Sequence, residues 1–304
     1  MAVKIVCLLM PHTNLLDLGG AAQVFHEAKD QGLDIELSYC SGNTNLNSAT
    51  GLPIGKIAHY SKQNLRPGDY VIVLSSDYKY VFSKNFAPEA ALLTWLKLQH
   101  QQDVKLCAIC TGAFVLGKAG LLDGIKCTTH WKRTQDLQQQ FPKAKVQSNF
   151  IYVEDSGIYT SAGANSAIDV ALNIIGHLKD DYFAHKIARE LVVYSRRSGS
   201  ETQQSVYLNY RNHFHGGIHK VQDYLNLNLS KKTLLTDLAE IANMSHRNFC
   251  RVFKRETSLT VNEYVTILRQ ERIKALLQNP DLSRSEIAKA CGLQSERQLS
   301  RIMQ

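Results

Sequence analysis

No apolar run in this sequence approaches the length of a membrane span. The run Ile5–Met10 is also too short for the core of a signal peptide, and its β-branched opening suits a buried first strand. The cysteines lack a framework. Seven of them, an odd number, are scattered along the chain, which excludes the paired spacing of a disulfide-stapled secreted domain and suits reduced thiols in a cytoplasm. Cys107 and Cys110 form C-x-x-C, but no second C-x-x-C stands at zinc-ribbon spacing, so neither a metal nor another cofactor is expected. The first part of the chain also lacks a charge excess: residues 1–195 hold 18 Lys+Arg against 17 Asp+Glu.

What is present is a 304-residue chain, 44% hydrophobic, long enough for two domains with separate cores. Its net charge of +8 is gathered at one end, where residues 196–304 hold 17 Lys+Arg against 10 Asp+Glu. A basic excess of that kind suits contact with phosphates, although a solvated basic face would look the same by charge alone. The same end writes one pattern twice. Leu238-Ala239 followed by MSHRNFCRVF (244–253) is matched by Ile287-Ala288 followed by GLQSERQLSRIM (292–303), with one extra residue at Gln294. Ser245, Arg247, Phe249 and Arg251 thereby fall on Ser295, Arg297, Leu299 and Arg301. Each copy reads as a small helix, a turn, a capping serine and an amphipathic helix with arginines on one face. A helix-turn-helix offers such a helix to a major groove. Between the copies, Val261, Tyr264, Val265, Leu268, Arg272, Ala275 and Leu276 share one face of a helix about 25 Å long.

Residues 1–195 alternate apolar runs with helical patterns, which implies an α/β domain: a doubly wound, mostly parallel, flavodoxin-like sheet covered by helices. Strands are expected at Val3–Leu9, Asp34–Cys40, Tyr70–Ser75, Val104–Ile109 and Lys126–Thr129. A hairpin is expected to turn at Asp155-Ser156-Gly157. Helices are expected at Asp17–Lys29, Pro88–Gln101, Thr111–Ala119, Ser166–Leu178 and Tyr182–Tyr194. Residues 196–217 read as a linker and residues 218–304 as an all-α domain with two helix-turn-helix motifs.

The stretches LTDLAEIANMSHRNFCRVFKRETSLT, YVTILRQERIKALLQ and SEIAKACGLQSERQLSR resemble the DNA-binding domain of the AraC/XylS family of transcription regulators. The resemblance implies groove contacts from Ser245, Arg247, Cys250 and Arg251 of the first helix, and from Arg297, Ser300 and Arg301 of the second. Arginine can bond guanine O6 and N7 in bidentate fashion, whereas Lys254 and Arg255 are placed for phosphates, unless they serve only as solubilising charge. It also implies double-stranded promoter DNA as partner, a homodimer, and RNA polymerase as a further candidate. Ser258 stands where the family has glycine after the first helix, a position suited to positive φ. The family's pattern runs on past the second helix into another short one. Without it Glu296–Met303 is expected to have little to pack against and to fray.

Upstream, the strand Leu106–Ile109 runs into Cys110-Thr111-Gly112 and a helix, the layout of a nucleophile elbow, where a thiol gains from the helix dipole. The surrounding CTGAFVLGKAGLLDG, with TTHW (128–131) and TSAGANSAIDVAL (160–172), resembles the ThiJ/PfpI, class I glutamine-amidotransferase-like domain. The nearest branch is the one fused to AraC-type domains, the GlxA-like regulators. Asp17 sits where catalytic members keep a glutamate beside the cysteine. Two positions depart from the enzymes. Thr111 replaces the histidine after the cysteine, and Ser75-Ser76-Asp77 replaces a glycine-rich oxyanion loop. His130 reads more readily as structural than as catalytic.

Together the two resemblances imply a non-enzymatic, cytoplasmic transcription regulator whose N-terminal domain binds a small effector at Asp17, Ser75, Ser76, Cys110, Thr111, His130 and Trp131. Asp17 with Trp131, Tyr78 and Tyr80 suits a cationic amine. A cysteine-dependent hydrolase or glyoxalase-like enzyme, and a thiol-redox sensor acting through Cys110, stand as alternatives.

Overall fold

The computed structural model describes residues 2–43, 45–163, 165–193, 197–200, 203, 210–277 and 282–303. The expected end of the closing helix at Tyr194, parts of the expected linker (196, 201–202 and 204–209), Ala164 and Gln304 lie outside the described residues. The chain divides into two compact units, Met1–Gln203 and Gln204–Gln304. Among the described residues no helix is long and apolar enough to cross a membrane.

The first unit runs β1 (Val3–Leu9), α1 (Leu15–Asp30), β2 (Ile35–Ser41), β3 (Leu46–Asn47), β4 (Pro53–Ile54), β5 (Ala58–His59), β6 (Tyr70–Val73), α2 (Tyr78–Val81), α3 (Ala90–Gln101) and β7 (Lys105–Ile109). It continues through α4 (Gly112–Lys118), β8 (Lys126–Cys127), α5 (Thr134–Gln140), β9 (Lys145–Val146), β10 (Tyr152–Asp155), β11 (Ile158–Ser161), α6 (Ser166–Leu178) and α7 (Asp181–Glu190). The main sheet has the order β10-β11-β7-β6-β1-β2-β5, parallel except for the β10–β11 hairpin. Helices cover both faces, so the central strands are apolar on both sides. Along β1, Ile5, Cys7 and Leu9 pack toward α1, α6 and α7, while Val6 and Leu8 pack toward α3 and α4, following the two-residue period of a strand.

The expected elements form with ends shifted by a residue or two, except that the closing helix stops at Glu190, four residues short of the expected Tyr194, with Val192 in left-handed backbone at φ 54°. The other exceptions also have local causes. Lys126–Thr129 is not a strand of the main sheet. Only Lys126 and Cys127 are extended, and they pair with Lys145 and Val146 in a separate two-stranded sheet. Thr128 leaves that ladder because its N–H donates to Thr160 Oγ1 at 2.8 Å. β6 ends two residues early, and Ser75 O instead accepts from Asn14 N–H at 3.2 Å. The short edge strand β5 had no period long enough to read.

The second unit contains α8 (Gly216–Leu227), α9 (Leu235–Ile241), α10 (His246–Thr257), α11 (Val261–Leu277), α12 (Arg284–Ala290) and α13 (Glu296–Ile302). One core gathers Ile218, Val221, Leu238, Phe249, Phe253, Tyr264 and Leu268, and another gathers Ile273, Ile287, Leu293 and Leu299. Helix α11 serves both. Its buried stripe is Val261, Tyr264 and Leu268 at the first core and Ile273 at the second, so the stripe turns by five residues in mid-helix. A single face continuing to Arg272 and Ala275 is therefore incorrect, and both are exposed. Helix α13 also has more to pack against than expected, since Leu299 is fully buried and Gln270 Nε2 donates to Ile302 O at 2.7 Å.

Ser258 caps α10 with φ 63°, the left-handed backbone that the glycine of related sequences suggested. An L-residue there costs on the order of 1 kcal/mol. Ser258→Gly should accordingly raise the unfolding free energy by about 0.5–1 kcal/mol. An unchanged or lower denaturation midpoint would show that the serine side chain compensates.

Candidate functional site: the Cys110 crevice and two arginine-bearing helices

In the first unit, Asp17, Ser75, Ser76 and Cys110 come from segments that follow β1, β6 and β7, at the carboxyl ends of three adjacent parallel strands. The chain order reverses between β1 and β6, which is where open α/β sheets form a ligand crevice. Asn14 Oδ1 caps α1 by accepting from Leu16 N–H at 2.9 Å, and this fixes the first turn that carries Asp17. Asp17 is fully buried, and Ser75 Oγ–H donates to its Oδ2. Cys110 adopts φ 53°, the strained backbone of a strand-to-helix elbow, and its N–H donates to Ser161 O at 2.9 Å. Gly163 makes room for it: a Cβ added there would lie 2.2 Å from Cys110 Cβ.

The thiol is not activated. Burial and the nearby Asp17 carboxylate push it up to about 12, against smaller opposing effects of the Thr111 and His130 N–H groups. The expected gain from the helix dipole is outweighed, because α4 starts in a buried setting and an anion already sits next to the sulfur. Thr111 Oγ–H donates to Ser76 O at 2.8 Å, and Thr111 Oγ1 accepts from Ser76 N–H at 2.9 Å. The loop amide that could bind an oxyanion is thus already engaged by the residue that replaces histidine. His130 is half-buried; its Nδ1 accepts from Lys132 N–H at 3.3 Å, and burial with Lys132 and Arg133 holds its pKa below the usual histidine value. His130 is therefore a neutral cap for the short helical turn at Trp131–Arg133, with its ring stacked on Trp131.

The cation cage does not form as expected. Lys132 Nζ lies 5.0 Å from the Trp131 ring centre and the Arg133 guanidinium 5.1 Å from that of Tyr78, so the protein's own cations cover those faces. Tyr80 packs against His12 and Phe86. Thr129 was missed by the sequence reading. It is fully buried, and its Oγ–H donates to Cys110 O at 2.8 Å. The TTHW motif contained it, but a threonine gives no signal of such a bond.

In the second unit, α10 and α13 begin alike. Ser245 Oγ accepts from Asn248 N–H at 3.4 Å, and Ser295 Oγ accepts from Gln298 N–H at 3.3 Å. The preceding turns pass through left-handed backbone at Asn243 (φ 54°) and Gly292 (φ 69°). Arg247, Arg251, Lys254 and Arg255 are exposed on α10, as are Arg297, Ser300 and Arg301 on α13. Three details refine the expected set. Cys250 is partly buried against the core, with Sγ 3.9 Å from His246 Nε2, so it is less available than the arginines. Arg255 is paired with Glu256, leaving Lys254 as the less encumbered cation. Asn248 and Arg284 had not been singled out: Asn248 Oδ1 accepts from Arg251 at 2.9 Å, and Arg284 donates to Ser300 Oγ at 3.2 Å.

The DJ-1/PfpI family matches residues 3–177, and a helix-turn-helix domain family matches residues 238–304. The HTH-type transcriptional regulator GbdR of Pseudomonas aeruginosa is 30% identical over 207 residues, 67% of this chain and 55% of that protein. The chain thus spans about half the length of that relative. Isonitrile hydratase of Pseudomonas putida is 35% identical over 86 residues, 28% of this chain and 36% of the enzyme. A ThiJ/PfpI family protein of known structure from Pseudomonas syringae superposes with a TM-score of 0.55 at 18% identity, covering 80% of this chain and 90% of its own.

Proposed function

We propose that this chain, which belongs to the DJ-1/PfpI family, is a cytoplasmic transcription regulator that binds promoter DNA through its helix-turn-helix domain and senses a small polar metabolite in the Cys110 crevice. The observation that carries the reading is the pair of serine-capped helices α10 and α13. Each presents exposed arginines, and both are tied to the single rod α11. A helix 17 residues long spans about 25 Å, suited to holding two recognition helices near one DNA turn, roughly 34 Å, apart. The homodimer and a contact with RNA polymerase belong to this proposal. The amine character of the effector now rests on Asp17 alone.

The alternative of a hydrolase is disfavoured by the raised thiol, by Thr111 in place of a base and by the engaged Ser76 amide. General-base help and oxyanion stabilisation each contribute orders of magnitude in rate. Selection from a random duplex library should return a sequence that full-length protein binds at least about a thousandfold more tightly than bulk duplex. Retention of every duplex alike, together with amide or isonitrile turnover lost in Cys110→Ala, would overturn the reading in favour of the enzyme.

A further inference from the structure

We propose that residues 197–200 and Gln203, at the end of the first unit, form a strap latched to both walls of the Cys110 crevice, so that the state of the crevice and the attachment of the strap are coupled. The sensor reading gives the strap its use, but the geometry stands apart from DNA binding. One wall is α6 and the loop before it, where Gly163 abuts Cys110. Arg197 is clasped there: its N–H and Nε–H donate to the two carboxylate oxygens of Asp169 at 3.2 and 3.1 Å, and Asp169 is 5% exposed. The other wall is the segment 128–130. Gln203 inserts its amide beside it, and Nε2 donates to Phe150 O at 2.8 Å, Thr129 O at 2.9 Å and Thr128 Oγ1 at 3.2 Å.

Between these anchors, Gly199 O accepts from Ile151 N–H at 2.9 Å. A Cβ added to Gly199 would lie 2.5 Å from Tyr152 O, so the strap runs flush on the start of β10. Gln203 is two bonded steps from the elbow. Its amide holds Thr129 O, and Thr129 Oγ–H holds Cys110 O at 2.8 Å, while the next N–H, that of His130, acts on the sulfur by favouring its thiolate. The latch is incompletely satisfied. Gln203 Oε1 is buried and has no partner among the described residues, which lowers the cost of letting go. A ligand that moves Thr129 or His130 must therefore disturb Gln203, and by reciprocity release of Gln203 must loosen the crevice.

The test uses that reciprocity on full-length protein, without DNA, with iodoacetamide as probe. Alkylation of Cys110 is followed by peptide mass spectrometry beside amide hydrogen exchange. Cys250 of the second unit serves as the reference thiol, and buried Cys7 and Cys107 report unfolding. Gln203→Leu should raise the Cys110 rate at least threefold and speed exchange at 128–130, with Cys250 unchanged. Should that variant expose Cys7 and Cys107, Gln203→Asn, which keeps the amide but withdraws it from Thr129, decides by the same two readouts. Unchanged Cys110 labelling and unchanged exchange at 128–130 in the folded variant would overturn the strap. Failure of DNA binding would leave both readouts as they are, so the two proposals fail separately.

Discussion

Replacing Arg247 or Arg251 with alanine should weaken binding to the selected duplex by about 1–3 kcal/mol, roughly 5- to 150-fold, and relax preference at one or two base pairs. The two arginines lie four residues apart on the exposed face of α10, behind a capped first turn whose backbone is fixed by Ser245. A guanidinium that pairs with a base edge gives both charge and direction, and losing it removes both. Lys254 provides a contrast. Exposed and further along the helix, it should act as a phosphate contact, so Lys254→Ala should weaken all duplexes alike and reduce the slope of log affinity against log salt by about one. Equal losses on selected and random duplex for Arg251→Ala would show that this helix does not read bases.

The second large effect concerns Cys110. With its thiol pushed up to about 12 from an ordinary 9.0, the thiolate fraction at pH 8 should be about a thousandfold below that of a free cysteine. Alkylation of Cys110 should rise about tenfold per pH unit from 7 to 9.5 with no plateau, since the folded thiol titrates above that window. The stability sign follows. Because the folded state holds this proton more tightly than the unfolded chain, the group's contribution is complete below about 9 and is lost as pH rises toward about 12. A labelling plateau below pH 8 would instead mark an activated cysteine and revive the thiol-sensor alternative.

Much of this was legible because strong local rules govern it. The period of Val3–Leu9, the repeat of Ser245 and Ser295 with their following arginines, and the elbow at Cys110 each express one dominant constraint: burial on two faces, a cap, and a strand-to-helix turn. The misreadings arose where a residue's partner lies far along the chain. Asp17, Trp131 and Tyr78 looked like a cation cage, and nothing in sequence tells that Ser75, Lys132 and Arg133 already hold them. Thr129 and Gln203 are ordinary polar residues whose meaning depends on a carbonyl 19 residues away for the one and 74 residues away for the other. The turning of the α11 stripe at Ile273 likewise reflects two cores meeting one helix, which a one-face pattern could not express.

One chain that reads DNA with two helices held by α11 leaves a distinctive footprint. Hydroxyl-radical footprinting of full-length protein on the selected duplex tests it most directly. For each bound chain, two protected segments centred about one helical turn apart are expected, with Arg251→Ala opening one and Arg297→Ala opening the other. A single protected segment unaffected by Arg297→Ala, or protection no stronger than on random duplex, would contradict it.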